Sequence, residues 1–276
     1  MTINCNGKLI ELSEPKIAGI LNITPDSFYD GGKYFSENSV EKRIKQLVKE
    51  GADIIDIGAF SSRPGAELIS EQEEQKRLQF ALDIIRKLYP DIILSVDTYR
   101  SGIAKFAVNN FNVDIINDIS AGTFDTEMFE TIAKLNVPYI IMHMQGVPGN
   151  MQKKPQYKDV VKDLLKFFSE KIERAKETGI NDLIIDPGFG FGKTIEHNYR
   201  ILSKLELFQL AERPITVGFS RKSMIYTLNN ETPEDALPGT LALNMTALQK
   251  GANILRVHDI KETKQVIEVY NNLNSI

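Results

Sequence analysis

Short continuous apolar runs alternate with amphipathic stretches along this chain. The runs cover residues 16–23, 53–60, 92–97, 114–119, 138–144, 183–186, 215–219 and 254–257. Runs that are apolar throughout, with no inside–outside alternation, predict parallel strands buried on both faces. Helical spacing fills the gaps over residues 37–50, 71–88, 101–109, 126–135, 158–177 and 195–207. It resumes on either side of Pro233 and Pro238, and again over 261–273. Ser70 with Glu73 forms a capping-box pattern, and Leu78, Leu82, Ile85 and Leu88 supply the buried stripe of the helix that follows. Residues 2–12 alternate loosely about Asn6-Gly7, which predicts a β-hairpin with a type I′ turn, set as a plug in the floor of whatever follows. Eight βα units with no linker or composition shift predict an α/β fold, a (β/α)8 TIM barrel in a single domain over 1–276, rather than a doubly wound open sheet.

Nearly every predicted strand hands over to a polar residue. The successive ends carry Asn22, Ser61-Ser62-Arg63, Asp97, Asn117-Asp118, His143, Asp186, Ser220-Arg221-Lys222 and His258-Asp259. In a parallel barrel these ends converge on the face where the loops build active sites. The loops over 24–34 and 61–69 exceed the usual two to six residues and carry Phe28, Asp30, Ser62 and Arg63. Either is readable as plain surface connection; on the polar face a closing lid is the preferred expectation.

Bulk properties narrow the function. A length of 276 residues suits one α/β barrel, and 42% hydrophobic with 25% charged residues describes a globular chain. A formal charge of −4 argues against a general nucleic-acid surface, so an anionic ligand must meet a local basic cluster. The single cysteine, Cys5, has no partner for an internal disulfide; with no membrane-spanning run or signal segment in view, a cytoplasmic location is expected.

Two constellations carry chemistry. Ser220, Arg221, Lys222 and Ser223 after strand seven, with Arg256 and His258 at the end of strand eight, join Ser62 and Arg63 as an oxyanion site. Each cation alone is as readily an ordinary ion-paired surface group. Asp97, Asn117 and Asp186 form an acidic and amide group that suits a flat heterocycle presenting a ring N–H beside an exocyclic NH2. The cationic and acidic groups are expected in opposite sectors of one cup. For Asp186 a turn role beside Pro187 competes, and for Asp97 a cap on the helix from Ser101. The run Asp186-Pro-Gly-Phe-Gly-Phe-Gly-Lys-Thr matches neither a P-loop nor a dinucleotide fingerprint. It reads as a tight turn that admits close backbone approach, with Phe189 and Phe191 as apolar walls. His143 and His258 lack the company a zinc site needs; Mg2+, with Asn22 as its protein ligand, fits better.

These residues closely resemble the dihydropteroate synthase family. The matching blocks are GILNITPDSFYDGG (19–32), SSRPGA (61–66), SVDTYR (95–100), IINDIS (115–120), IIMHMQGVPGNMQ (140–152), DPGFGFGKT (186–194), GFSRKS (218–223) and RVHD (256–259). The first and the glycine-rich block are specific; RVHD alone is weak. The resemblance implies condensation of 6-hydroxymethyl-7,8-dihydropterin diphosphate with p-aminobenzoate to give 7,8-dihydropteroate and pyrophosphate, in an SN1-like order with diphosphate leaving first. It implies Mg2+, a homodimer, and a site that sulfonamides target.

Carried over, Asp97, Asn117, Met142, Asp186 and Lys222 hold the pterin, and Asn22, Ser62, Arg63, Arg256 and His258 hold the diphosphate, with the metal at Asn22. The p-aminobenzoate and lid residues are Phe28, Asp30, Ser62, Arg63, Pro64, Phe191, Lys222 and Ser223. Catalysis falls to Asn22, Arg63, Asp97, Lys222, Arg256 and His258. One departure is Phe60, where many members carry an acidic or small residue, together with Ser62 for Thr. A pterin-binding methyltransferase acting on a corrinoid protein would share the Asp/Asn contacts but has no use for SSRPGA or the cations. A non-catalytic paralogue would bind pterin without turnover.

Overall fold

A computed structural model describes residues 1–24, 37–60, 69–147, 149, 151 and 155–275. Strands β1 (Thr2–Cys5) and β2 (Lys8–Glu11) pair antiparallel, Cys5 opposite Lys8. Between them Asn6 and Gly7 both adopt positive φ, 51° and 86°, as a type I′ turn requires.

The barrel strands are β3 (Lys16–Asn22), β4 (Ile54–Gly58), β5 (Ile93–Asp97), β6 (Ile115–Asp118), β7 (Tyr139–Met142), β8 (Leu183–Asp186), β9 (Thr216–Val217) and β10 (Ile254–Val257). All neighbouring pairs are parallel, in the order β8-β7-β6-β5-β4-β3-β10-β9, and a parallel bridge from Ile185 to Ile215 closes the ring. The helices outside it are α1 (Glu37–Glu50), α2 (Glu71–Leu88), α3 (Ser101–Phe111), α4 (Met128–Leu135), α5 (Val160–Thr178), α6 (Ile195–Ser203), α7 (Ser223–Tyr226), α8 (Leu237–Gln249) and α9 (Ile260–Asn274). A 3-10 segment, Leu205–Ala211, follows α6 where a longer helix was expected.

Strand seven keeps only Thr216–Val217 of its apolar run, and just beyond it Gly218 lies within van der Waals reach of Arg256 and Lys222. The expected capping box forms only half: Ser70 accepts from the Glu73 N–H at 3.2 Å, while the Glu73 carboxylate turns to Arg77 Nε at 2.7 Å. The Asp97 cap on α3 does not form. Arg100 is the capping residue there, and the Ser101 N–H goes to Asp125 Oδ2 at 2.7 Å.

Alternate strand residues divide the core. The outward set packs under the helices. The lowest inward set, Ala18, Ile54, Ile115, Ile140, Ile184 and Ile254, meets Ile3, Cys5 and Leu12 of the hairpin in a separate cluster. The hairpin is therefore the expected floor plug. Within it Cys5 is fully buried, and burial first, then the charge of Asp114, pushes its thiol pKa up to about 12, which leaves it unreactive. Among the described residues no helix is long and apolar enough to cross a membrane. The plug makes a prediction: Ile3→Ala should lower stability by about 2–5 kcal/mol, read as a lower urea midpoint. An unchanged midpoint would mean that the hairpin merely rests on the barrel.

Candidate functional site

Above the apolar floor the inward positions become polar. Strand register sets Asn22 opposite Gly58, Gly58 opposite Asp97, and Asp97 opposite Asn117, so that residues from four adjacent strands share one level. Asp186 lies opposite Met142 on the next pair, β7–β8. Gly58 leaves that level open: a Cβ there would lie 3.4 Å from Asn22 Oδ1 and 3.8 Å from Asp97 Oδ2.

Arg256 reaches inward from β10 across β3. Its Nε donates to Asp56 Oδ2 at 2.6 Å and its Nη2 to Asp97 Oδ2 at 3.0 Å. Asn117 Nδ2 adds a longer bond to the same Asp56 oxygen, 3.4 Å. Positive and negative groups thus interleave. The expectation of opposite sectors fails because carboxylates this deep require a counter-ion within contact distance. Asp56 is the residue sequence reasoning missed: it was absorbed into an apolar run. The available signal was a lone carboxylate in the middle of a strand buried on both faces.

Electrostatics follow from burial. Desolvation, partly offset by Arg256, pushes Asp97 up to about 7. Asp186 is raised by burial against the pull of Lys222. Its Oδ1 accepts from the Gly188 N–H at 2.7 Å, so the turn role weighed for it is real and coexists with its place in the pocket. Lys222 is lowered to about 8 by burial, with Asp186 opposing the shift. Its Nζ donates to Phe189 O at 2.5 Å and stands 4.9 Å from the centre of the Phe191 ring. His258 falls to about 3 through burial and the charge of Arg256. It is a neutral imidazole whose Nδ1 lies 3.1 Å from Ser220 Oγ. Ser223 is exposed at the start of α7.

A cavity of about 10 Å³, lined by Asp56, Ser95, Asn117, Asp186, Thr216 and Arg256 above the isoleucine floor, lies at the centre. Asp56 Oδ1, Asp97 Oδ1 and Ser95 Oγ are buried with no hydrogen-bond partner among the described residues.

Other expected residues separate. Phe28, Asp30, Ser62, Arg63 and Pro64 lie outside the described residues. Phe189 is no ligand wall: it is fully buried and packs on Phe219, ring centres 4.5 Å apart. Arg221 turns away to Asp259 at 2.9 Å. His143 faces Lys193 Nζ at 3.1 Å, and burial with that positive neighbour holds it near 2, a poor setting for a metal. Phe60 joins Met142 and Ile119 in an apolar cluster at the mouth and meets Tyr99 edge-on at 5.2 Å.

A closed parallel barrel, plugged below and lined at the mouth with acids, an amide and two cations, defines a small-molecule enzyme of the (β/α)8 class. The described family "Pterin binding enzyme" matches residues 18–258. A dihydropteroate synthase of Haemophilus influenzae is 41% identical over 272 residues, covering 98% of each chain. Among solved structures, the Yersinia pestis dihydropteroate synthase in a sulfonamide complex superposes with a TM-score of 0.92 at 39% identity, over 100% of this chain and 99% of the other. The Xanthomonas albilineans dihydropteroate synthase with 4-aminobenzoic acid gives 0.92 at 35% identity, over 100% and 98%. The chain belongs to the pterin-binding enzyme family.

The interleaved charges make a second prediction. Arg256→Met should destabilise the fold by about 3–5 kcal/mol, because two buried carboxylates lose their counter-ion. Adding Asp56→Asn should recover part of that loss. Urea titration of the two variants checks this, and equal losses would show that Asp56 is not held by Arg256.

Proposed function

We propose that this chain is a dihydropteroate synthase, one domain over 1–276, which joins the pterin-methyl carbon of 6-hydroxymethyl-7,8-dihydropterin diphosphate to the amine of p-aminobenzoate. The observation that carries the proposal is the pair of unfilled buried acceptors, Asp97 Oδ1 and Asp56 Oδ1, beside Asn117 and Asp186. Unmade hydrogen bonds of this kind cost about 1–3 kcal/mol each. The space beside them holds about one water, so a flat ring with adjacent N–H groups would complete them once side chains at the mouth make way. Met142, buried on the neighbouring strand, offers a face for the ring, and Lys222 closes over it.

The diphosphate then lies toward Asn22, Arg256, His258 and the lid residues Ser62 and Arg63. The C–O bond breaks first, and its electron pair leaves with the diphosphate. The ring and the nearby carboxylates share the positive charge left on the methylene. The neutral aromatic amine, held between the lid and Phe191, Lys222 and Ser223, attacks that carbon and gives up one proton to water or diphosphate. The single charge of Arg256 is already met by Asp56 and Asp97, so Lys222 and Arg63 bear more of the departing charge. Preorganised charge of this kind supplies much of the acceleration. The donor set suits Mg2+: Asn22 offers one uncharged amide oxygen beside the small Gly58, and a hard cation completes its shell with phosphate oxygens and water. Bound there, Mg2+ would neutralise charge on the leaving group.

The reading includes a cytoplasmic enzyme, consistent with the single buried thiol, and a homodimer. α8 supports the dimer, since its Leu237, Leu241 and Met245 stay half-buried on the outside of the barrel. A corrinoid methyltransferase is not favoured by the relatives found.

The direct test is pyrophosphate release from the pterin diphosphate, with and without p-aminobenzoate and Mg2+; release that ignores p-aminobenzoate would sink the synthase reading. Two further outcomes are expected. Asp186→Asn should raise the dissociation constant of the pterin by about tenfold or more, as loss of a charge-assisted pair does, in a calorimetric titration. The second concerns pH. Asp97 is raised to about 7, so the folded protein favours its protonated form, and this contribution to stability, full at low pH, is lost as pH rises through 7. A ring N–H donor needs the carboxylate, so pterin binding should strengthen as pH approaches 7 and release protons below it. Turnover should fall above about 8, where Lys222 loses its proton. Asp97→Asn should abolish the lower limb and Lys222→Ala the upper one; limbs that persist in these variants belong to other groups.

A further inference from the structure

We propose that Lys193 is a positioning residue for the p-aminobenzoate side of the site, because its buried ammonium shapes the glycine-rich loop on which Lys222 rests. The proposal builds on the synthase reading. Lys193 is 3% exposed, and its charge is felt by Asp186 and Lys222 although it bonds to neither. Its Nζ donates to Gly188 O at 2.9 Å, His143 O at 3.0 Å and Phe191 O at 3.0 Å. Burial drives the Lys193 pKa well down, but three carbonyl acceptors match the three N–H groups of an ammonium and favour the charged form. The neutral ring of His143, with Nδ1 at 3.1 Å, shares one of them. A tethered cation therefore gathers carbonyls from β7 and from both ends of the loop turn.

The loop curls about that cation. Gly188, Gly190 and Gly192 adopt φ of 70°, 83° and 60°, and added side chains at Gly188 and Gly192 would collide with the carbonyls of His143 and Gln145. Tyr157 Oη donates to Gly192 O at 2.7 Å, and the Gly190 N–H goes to Asn198 Oδ1 at 2.7 Å. Lys222 lies against the other side. Its Nζ bonds Phe189 O, it stands over the Phe191 ring, and its Cδ passes 3.2 Å from where a Gly190 Cβ would be. The conformation that Lys193 imposes on 188–191 thus sets the place of Lys222 and Phe191. Asp97 and Asn117, on β5 and β6, stand apart from the loop, whereas Asp186 is tied to it through the Gly188 N–H.

Lys193→Met keeps the length and removes the charge, and Lys193→Ala leaves room that n-propylammonium fills. For both, and for wild type in parallel, the KM for p-aminobenzoate, the dissociation constant of the pterin and the urea midpoint are measured. The KM should rise about tenfold, by a larger factor than the dissociation constant of the pterin, which shares Lys222 and Asp186 but also has Asp97 and Asn117, and n-propylammonium should restore most of the loss in Lys193→Ala. An unchanged KM in a folded variant overturns the proposal. So does loss of both constants in proportion to stability with no rescue, since Lys193 then only holds the fold. Should neither variant fold, Tyr157→Phe must raise the same KM by a larger factor than the pterin constant, and an unchanged KM there overturns the proposal. Failure of the synthase reading is separate: wild type itself would then release no pyrophosphate on adding p-aminobenzoate.

Discussion

Charge buried inside a closed barrel is the constraint from which the rest follows. Asp56 and Asp97 sit where water is excluded, and the guanidinium of Arg256 holds both. Neither acid nor cation is tolerable there alone. The hairpin matters for the same reason: by sealing the floor with Ile3, Cys5 and Leu12 it keeps solvent from screening the charges from below. Small residues do the complementary work. Gly58 and Gly218 lie within van der Waals reach of Asn22, Asp97, Arg256 and Lys222 and take up little of the space where these converge.

The cations of the interior differ in how their charge is used. Arg256 is fixed between two carboxylates and keeps further N–H groups for a ligand. Lys193 is enclosed by carbonyl dipoles and serves the loop. Lys222 rests on that loop with one carbonyl and one aromatic face as partners, and Asp186 is the opposite charge that works against its desolvation. Of the three it is the cation least committed to the protein, which is what a group that must respond to an arriving anion requires. The neutral state of His258, imposed first by burial and then by Arg256 nearby, makes it a hydrogen-bonding group and not a fourth positive charge.

The eight-unit barrel, the plugged floor and most strand-end residues were legible from pattern because burial on both faces writes a continuous apolar run, and a strand end in a parallel barrel has one destination. Asn22, Asp97, Asn117 and Asp186 came to the mouth as their positions at those ends required. Asp56 did not announce itself, since one polar residue in an apolar run carries no periodic signal and its partner is 200 residues away along the chain. Phe189 was misplaced for the converse reason: glycine-rich loops look exposed, and which of two phenylalanines turns inward depends on packing against Phe219.

By itself, then, the chain determined its fold class, the face that carries chemistry and the residue types gathered there, all of which rest on local spacing. Tertiary structure decided the pairings. Arg256 bridging Asp56 and Asp97, Lys193 inside the loop, and Asp186 holding a turn while lining the pocket each arise from residues brought together through the barrel interior. Those pairings set the protonation states, because the cost of burying a charge depends on which opposite charge or dipole lies within a few ångströms, and sequence spacing holds no record of that distance.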